Sequence, residues 1–153
     1  MSSSFKTLSL SPDTLNNLDQ LGYTEMTAIQ AASLPLALAG QDLIAQASTG
    51  SGKTAAFGLP LVEKLTANFH AVQGLVMCPT RELADQVTTE IRRLARATAN
   101  IKVVTLCGGV ALRGQEQSLQ HGAHVVVGTP GRILDHLTRG NLRLDSVKTL
   151  VLD

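Results

Sequence analysis

The sequence predicts an α/β domain built around a mostly parallel sheet, and three observations lead to this prediction. Short apolar runs that fit strands alternate with longer amphipathic segments that fit helices. The strand candidates are apolar throughout and do not alternate with polar residues, which is typical of a parallel sheet covered on both faces. A strand followed by a helix, several times over, indicates a layered domain with right-handed crossovers.

Two helices are predicted ahead of the first strand. The first begins at Ser11-Pro12, where a capping serine precedes a proline suited to the first helical position, and it ends at Gly22. The second runs from Thr27 to about Ala39. Five strand candidates follow, and in chain order they are Leu43–Ala47, Gly74–Cys78, Val103–Cys107, Val125–Gly128 and Thr149–Leu152.

Four helical candidates separate these strands, near residues 53–68, 80–97, 111–121 and 131–139. Segment 80–97 has the clearest periodicity, because apolar residues recur in it at three- and four-residue spacing and charged residues flank them. The recurring apolar residues are Leu83, Val87, Ile91 and Leu94. The segment is therefore expected to bury one face and expose the other.

Length and composition fit one domain with a substantial core. The chain has 153 residues, of which 44% are hydrophobic, and a formal net charge of +1. This near-neutral balance excludes a disordered acidic chain and a highly basic nucleic-acid arm. Residues 1–76 hold three Lys and Arg against five Asp and Glu, whereas residues 77–153 hold ten against seven. An anionic partner is therefore expected to bind the second half.

The cysteines and the N-terminus point to a reduced, soluble, cytoplasmic protein with no membrane partner. Cys78 and Cys107 each end an apolar run and have no metal-ligand spacing, so both are predicted to be reduced core thiols. The N-terminus lacks an apolar leader, and no run approaches the length of a membrane span. No chemistry is assigned to the histidines, which are His70, His121, His124 and His136.

The strongest motif is Ala47-Ser48-Thr49-Gly50-Ser51-Gly52-Lys53-Thr54, between a predicted strand and a predicted helix. The glycines allow a tight turn whose N–H groups can face phosphate oxygens, and the helix N-terminus adds partial positive charge. Lys53 can reach the β- and γ-phosphates, and the Thr54 hydroxyl can bind Mg²⁺. Ala47 departs from the glycine of the strict pattern, and the alternative is an ordinary Gly/Ser turn.

The last predicted strand ends in Asp153. In a parallel sheet this places a carboxylate at the same edge as the phosphate-binding loop, in the position where such a residue holds Mg²⁺ together with the loop threonine. Many buried strands end in Asp, so the motif gains weight only because it follows the loop.

Residues 22–30 allow two interpretations. Thr27-x-x-Gln30 fits a capping box, in which Gln30 returns a hydrogen bond to the cap, and spacing alone favours this interpretation. The Gln30 amide can also pair with the N6/N7 edge of adenine, and Tyr23, the only tyrosine, can stack on the base.

Three further loops follow predicted strands; two of them supply Thr and Arg near a helix start, and one supplies a Gly-Gly pair. They are Pro79-Thr80-Arg81, Gly108-Gly109 and Thr129-Pro130-Gly131-Arg132. Each alone fits ordinary helix-start punctuation. Because all three lie at strand carboxyl ends in the basic half, one groove for an anionic ligand is the better explanation.

These motifs, in this order, resemble the first RecA-like domain of the DEAD-box ATP-dependent RNA helicases. Phe5 and residues 22–30 resemble the upstream aromatic and the Q motif of that family. Residues 47–54 resemble motif I, whose first position is often Ala in the family, and the resemblance favours the adenine-binding interpretation of Gln30 alongside the cap.

The second half of the chain continues the resemblance. Residues 79–84 resemble motif Ia, Gly108-Gly109 with Gln115 resembles the GG motif, residues 129–132 resemble motif Ib and residues 151–153 resemble the start of motif II. Residues 83–87 and 106–109 are similar to the bacterial DbpA-type subgroup. Met26 stands where many members carry Pro.

The resemblance implies a RecA-like P-loop NTPase fold with three layers, truncated at the C-terminus, with Q-motif helices in residues 1–40 and the first RecA-like domain in residues 41–153. It implies ATP and Mg²⁺ as cofactors, with Lys53 and Asp153 catalytic and with Thr54 and Asp153 on the metal. The expected ATP-binding residues are Phe5, Tyr23, Thr27, Gln30, Ser48, Thr49, Gly50, Ser51, Gly52, Lys53 and Thr54. The expected RNA-binding residues are Pro79, Thr80, Arg81, Gly108, Gly109, Gln115, Thr129, Pro130, Gly131 and Arg132.

The implied activity is ATP-dependent RNA unwinding or remodelling, with ribosomal RNA in large-subunit assembly for the DbpA type. The implied partners are RNA, contacted at sugar and phosphate, a second RecA-like domain and pre-ribosomal particles. Residues 1–153 alone are expected to bind nucleotide without turnover. The alternative is a P-loop phosphotransferase that acts on a small molecule.

One packing prediction follows from the expected truncation. Without whatever covers the sheet beyond its last strand, residues near Val125–Val127 and Leu150–Leu152 are expected to be more exposed than their composition suggests, with a tendency to associate.

Overall fold

The computed structural model describes residues 3–153, in which six α-helices and four strands occur. In chain order these are α1 (Pro12–Gln20), α2 (Ala28–Leu38), α3 (Lys53–Glu63), β1 (Gly74–Met77), α4 (Arg81–Leu94), β2 (Val103–Leu106), α5 (Leu112–Gln120), β3 (Val125–Gly128), α6 (Pro130–Thr138) and β4 (Thr149–Leu152). Single 3₁₀ turns cover Phe5–Thr7 and Ala95–Ala97. None of the helices in residues 3–153 is long and apolar enough to cross a membrane.

The four strands form one parallel sheet in the order β2-β3-β1-β4, which confirms the predicted α/β class. Gly74 of β1 lies opposite Val125 on one side and Thr149 on the other. Among these four strands, β2 and β3 are consecutive in the sequence and also neighbours in the sheet. The crossover that connects them contains α5, as parallel pairing requires.

The predicted strand Leu43–Ala47 is wrong, because residues 41–48 have no regular secondary structure. Leu43 is 40% exposed and the Ile44 side chain is fully open to solvent. A strand exists only through hydrogen bonds to a partner, and an apolar run by itself does not supply one. The other four predicted strands are present, with their ends shifted by one residue at most.

The chain divides into two compact units. The first comprises the residues up to Lys64 together with Glu90–Ala99. In it α2 packs against α3, and Leu34, Leu59 and Leu61 are buried. Ser11 caps α1 as predicted, with its hydroxyl accepting from the Thr14 N–H at 3.2 Å.

The second unit comprises Leu65–Thr89 and Asn100–Asp153 and contains the sheet. One sheet face buries an apolar cluster, and its members are Val72, Leu75, Leu106, Ala123, Val126, Ile133 and Leu142. The other face receives α4, because the Thr105 hydroxyl of β2 donates to the Thr88 hydroxyl of α4 at 3.0 Å. β1 and β3 are therefore buried on both faces, as their all-apolar sequences predict.

The expected exposure of the sheet is confirmed at one strand and wrong at another. Leu150 and Leu152 of β4 are 57% and 73% exposed, in line with a strand paired on one side only. Val125, Val126 and Val127 are 0% exposed. β3 is hydrogen-bonded to β2 on one side and to β1 on the other, and all four of its residues are buried.

Candidate functional site

The phosphate-binding loop leads into α3 without a side-chain cap. Gly52 occupies the cap position with φ of 89°, and Gly50 has φ of 81°, so both glycines lie in the left-handed region that other residues rarely adopt. The Ser51 N–H and hydroxyl both donate to the Ser48 carbonyl oxygen, at 3.2 and 2.5 Å, which closes the turn. The first N–H groups of α3 are therefore available to an anion, with Lys53 and Thr54 on the first turn.

Gln30 joins the start of α2 to this loop. Its Oε1 accepts from the Thr27 N–H at 2.9 Å while Thr27 caps the helix in return, which confirms the predicted capping box. Its Nε2 donates to the Gly52 carbonyl oxygen at 3.2 Å. The side chain is 2% exposed. An amide has a second N–H and a second lone pair, so pairing with adenine remains chemically open and stays a prediction.

Tyr23 lies beside Phe5 in the same unit. The two rings meet edge to face with centroids 5.9 Å apart, and Phe5 is 3% exposed. The Tyr23 hydroxyl donates to the Glu90 carboxylate, which also pairs with Arg93 at 3.0 Å. Burial, followed by this hydrogen bond, raises the pKa of Tyr23 above its usual value. Tyr23 is half-buried, and its contact with a base stays a prediction.

Asp153 lies at the carboxyl end of β4, where its N–H donates to the Met77 carbonyl oxygen at 3.0 Å and its side chain is exposed. The buried thiol of Cys78 is nearby, and its pKa is raised to about 11 by burial, then by Asp153 and Cys107. Cys78 and Cys107 are both free and buried, so their predicted place in the core is confirmed. Among residues 3–153 no cluster of three or more His, Cys, Asp or Glu suits a metal.

The three loops that supply arginine or glycine follow β1, β2 and β3, which are neighbours in the parallel sheet. All three loops therefore lie at the carboxyl-terminal edge of the sheet. A methyl group at Gly109 would lie 2.6 Å from Arg81 Nη1, which places the Arg81 guanidinium directly against the Gly108-Gly109 turn. Arg81 and the two glycines are exposed. The Thr80 hydroxyl accepts from the Leu83 N–H at 3.2 Å and so caps α4. This edge presents backbone N–H groups and cationic side chains together.

Arg132 lies at the same edge, but it contacts the protein more than it contacts solvent. Its Nη1 donates to the Val110 carbonyl oxygen at 2.7 Å and to Gln115 Oε1 at 3.1 Å. Its Nε lies 3.8 Å from Asp135, and the side chain is 15% exposed. Arg132 therefore connects the loop after β2 to the start of α6.

A buried polar network behind this edge includes a residue that the sequence analysis missed. Gln115 Nε2 donates to the Cys107 carbonyl oxygen at 3.0 Å, and its Oε1 also lies 2.7 Å from His136 Nε2. His136 Nδ1 lies 3.2 Å from Asn141 Nδ2, which is 3.1 Å from Glu116 Oε1. The only signal in the sequence is the apolar face of α6, on which His136 is a polar exception.

A glycine-containing turn that opens a helix with Lys-Thr is typical of P-loop nucleotide-binding proteins, a class whose domains contain a parallel sheet. The model of the family described as DEAD/DEAH box helicase matches residues 27–153, and the chain belongs to that family. The predicted family and the RecA-like fold class are confirmed.

Curated relatives agree with this assignment. The chain is 57% identical over 150 residues to the ATP-dependent RNA helicase DbpA of Escherichia coli, a match that covers 97% of this chain and 33% of that relative. It is 48% identical to the DEAD-box ATP-dependent RNA helicase CshA of Geobacillus kaustophilus, over 97% of this chain and 32% of that relative. The chain thus spans about a third of the length of these relatives.

Solved structures give the same fold. A DEAD box protein from Methanococcus jannaschii superposes with a TM-score of 0.92 at 44% identity, over 98% of this chain and 41% of the other. Dbp5 of Saccharomyces cerevisiae, bound to RNA and ADP BeF₃, superposes with a TM-score of 0.89 at 31% identity, over 99% of this chain and 38% of the other.

Proposed function

We propose that this chain is the ATP-binding part of an ATP-dependent RNA helicase, with Q-motif helices in residues 1–40 and the first RecA-like domain in residues 41–153. The observation that carries the proposal is the phosphate-binding loop, where two left-handed glycines lead into an α3 terminus that no side chain caps. Gln30, bonded to the last residue of this loop, places an amide at its side.

The nucleotide contacts follow from these groups. N–H groups of the loop and of the first turn of α3 contact the phosphates, Lys53 neutralises charge on the β- and γ-phosphates, and Gln30 and Tyr23 recognise the adenine. The Thr54 hydroxyl and the Asp153 carboxylate are hard oxygen ligands that suit Mg²⁺, and the ion would neutralise charge on the transferring phosphate.

RNA is the proposed ligand of the edge formed by Arg81, Gly108-Gly109 and residues 129–132. The N–H groups and the guanidinium found there bind sugar and phosphate and carry no base sequence, so recognition is expected to be sequence-independent and to weaken steeply with salt. Dbp5, which superposes on this chain, was solved with RNA and ADP BeF₃.

The test uses the full-length protein that contains these residues. Lys53→Ala is expected to abolish ATP hydrolysis, and added RNA is expected to stimulate hydrolysis by the unchanged protein. ATPase activity that survives Lys53→Ala, or that ignores RNA, contradicts the proposal. A phosphotransferase would instead depend on a small acceptor, and membership of the helicase family argues against that alternative.

Residues 1–153 alone are expected to bind ATP with negligible turnover. We propose that the groups which complete the reaction, including arginines worth 10³–10⁵ in rate in related phosphoryl transfers, lie on a second RecA-like domain of the full-length protein. Comparison of turnover by residues 1–153 and by the full-length protein, at equal ATP occupancy, tests this directly. Equal rates would refute it.

The similarity to the DbpA type supports a finer proposal, which is action on ribosomal RNA in pre-ribosomal particles of the large subunit, in the cytoplasm. The measurement is RNA-stimulated ATPase with large-subunit ribosomal RNA against an unrelated RNA of equal length. Equal stimulation by both RNAs would contradict the finer proposal and leave the helicase proposal intact.

A further inference from the structure

The buried network behind the proposed RNA-binding edge has a fixed pattern of protons. The Cys107 carbonyl oxygen can only accept, so the group of Gln115 that meets it at 3.0 Å is the amide nitrogen. The other amide atom, Oε1, therefore faces both Arg132 Nη1 and His136 Nε2. Because this oxygen can only accept, His136 Nε2 carries a proton.

The opposite side of the imidazole is fixed in the same way. The Glu116 carboxylate accepts, so the atom of Asn141 that meets it at 3.1 Å is the amide nitrogen, and the same nitrogen meets His136 Nδ1 at 3.2 Å. Nδ1 must then accept. His136 is thus a neutral imidazole with its proton on Nε2, and it is 0% exposed.

The network holds the loop after β2 at two carbonyl groups. Gln115 Nε2 donates to the carbonyl oxygen of Cys107, immediately before Gly108-Gly109. Arg132 Nη1 donates to the carbonyl oxygen of Val110, immediately after them, at 2.7 Å. Arg132 Nη1 also donates to Gln115 Oε1, and His136 Nε2 donates to the same oxygen. The exposed glycines have no side chains of their own with which to fix the turn.

We propose that His136 is a positioning residue for RNA binding, which fixes the Gln115 amide and through it the Gly108-Gly109 turn and Arg132. The inference rests on the proposed RNA-binding function of this edge. His136 itself touches no RNA, since it is wholly buried, and it acts only through the orientation of Gln115 Oε1. Burial, followed by Arg132, lowers the pKa of His136, in keeping with a neutral ring.

The test separates the two ring nitrogens in the full-length protein. His136→Gln places an amide N–H near the position of Nε2 and keeps the donor to Gln115. His136→Asn places its amide near the position of Nδ1, so it keeps the contact with Asn141 and loses the donor to Gln115. Each variant loses one hydrogen bond, and the shorter Asn also leaves a small void at this buried position, so urea unfolding measures the stability of both variants. Binding of a short fluorescein-labelled oligouridine, in the presence of ADP and beryllium fluoride, is measured by anisotropy.

We expect His136→Gln to bind within about twofold of the unchanged protein and His136→Asn to bind roughly 3- to 10-fold more weakly, the effect of one lost hydrogen bond. In RNA-stimulated ATPase, His136→Asn should raise the RNA concentration for half-maximal stimulation and leave kcat at saturating RNA unchanged. In a Gln115→Ala background, His136→Asn should cause no additional loss.

Equal RNA affinity of the two variants overturns the inference, whether both bind normally or both bind weakly. So does a loss that persists in the Gln115→Ala background, since His136 would then act by another route. Failure of the unchanged protein to bind oligouridine at all refutes the RNA-binding proposal itself. ATP binding by both variants should match the unchanged protein and serves as the control for folding.

Discussion

The Gln30 side chain donates from Nε2 to the carbonyl oxygen of Gly52 at 3.2 Å, so the cap of α2 and the end of the phosphate-binding loop share one hydrogen-bonded residue. A methyl group at Gly52 would lie 2.5 Å from that Nε2 and 3.0 Å from the Thr27 hydroxyl oxygen. Gly52 is therefore required twice, by its positive φ and by the approach of Gln30.

Gly52→Ala is expected to lower the free energy of unfolding by about 2–3 kcal/mol, because left-handed strain adds to the clash with Gln30. Gly50→Ala is the matched control, since its φ is also positive but nothing lies within 4 Å of the added methyl group. The control should cost about 1–2 kcal/mol. Urea unfolding of residues 1–153 measures both, and equal losses would mean that the Gln30 contact is unimportant.

Tyr23 substitutions separate its ring from its hydroxyl. Tyr23→Phe removes the hydrogen bond to Glu90 but leaves Glu90 paired with Arg93, so we expect a loss of about 1 kcal/mol in stability and unchanged ATP affinity. Tyr23→Ala also removes the edge contact with Phe5 and should cost about 3 kcal/mol. If the ring stacks on adenine, Tyr23→Ala alone weakens ATP binding, as measured by calorimetry.

Gly128 of β3 lies opposite Leu106 of β2. A methyl group there would lie 2.3 Å from the Leu106 carbonyl oxygen, a backbone atom that cannot move without breaking the strand pairing. Gly128→Ala should destabilise by about 3 kcal/mol or prevent folding. Gly114→Ala, in α5 with nothing within 4 Å, should instead stabilise by about 0.5–1 kcal/mol. Thermal melts compare the two variants, and a mild effect at Gly128 would contradict the strand register.

Acidification should destabilise the fold through His136. Its pKa is lowered from 6.5 by burial and by Arg132, with Arg139 acting in the same direction and Glu116 and Asp135 opposing. As pH falls through 6.5 the unfolded chain takes up a proton that the folded chain does not, so the free energy of unfolding falls until the folded-state pKa is reached.

His136→Gln, which cannot titrate, is the control for this pH dependence. Urea unfolding at a series of pH values measures the free energy of unfolding, which should fall more steeply below pH 6.5 in the unchanged protein than in the variant. Parallel curves would mean that His136 is already accessible to protons in the folded state.

Periodicity and punctuation were sufficient for the local elements. Val125–Gly128 and Thr149–Leu152 have the predicted bounds because each is a short apolar run that follows a turn. Leu43–Ala47 has the same composition, but whether it becomes a strand depends on a neighbour that composition does not reveal. An apolar run can be recognised in a single segment, but the segment becomes a strand only when a neighbouring strand pairs with it.

In the candidate site, likewise, contacts between residues close in sequence were predicted and contacts between distant residues were not. Lys53, Thr54 and the capping pair Thr27–Gln30 are close in sequence, so spacing alone predicted their arrangement. The hydrogen bond between Gln115 and His136 joins residues 21 positions apart on two helices, and that between Gln30 and Gly52 spans 22 positions. Such contacts depend on how helices pack, for which a single sequence carries no local signal.

The strand order β2-β3-β1-β4 has a consequence for synthesis on the ribosome. β1 and β2 are not neighbours, and both of them wait for β3, so no pair of strands can form until residues 125–128 have emerged. At about 5–20 residues per second, the interval between β1 and β3 lasts several seconds. During that interval the apolar β1 segment, joined later by β2, stays unpaired on the nascent chain and is open to aggregation.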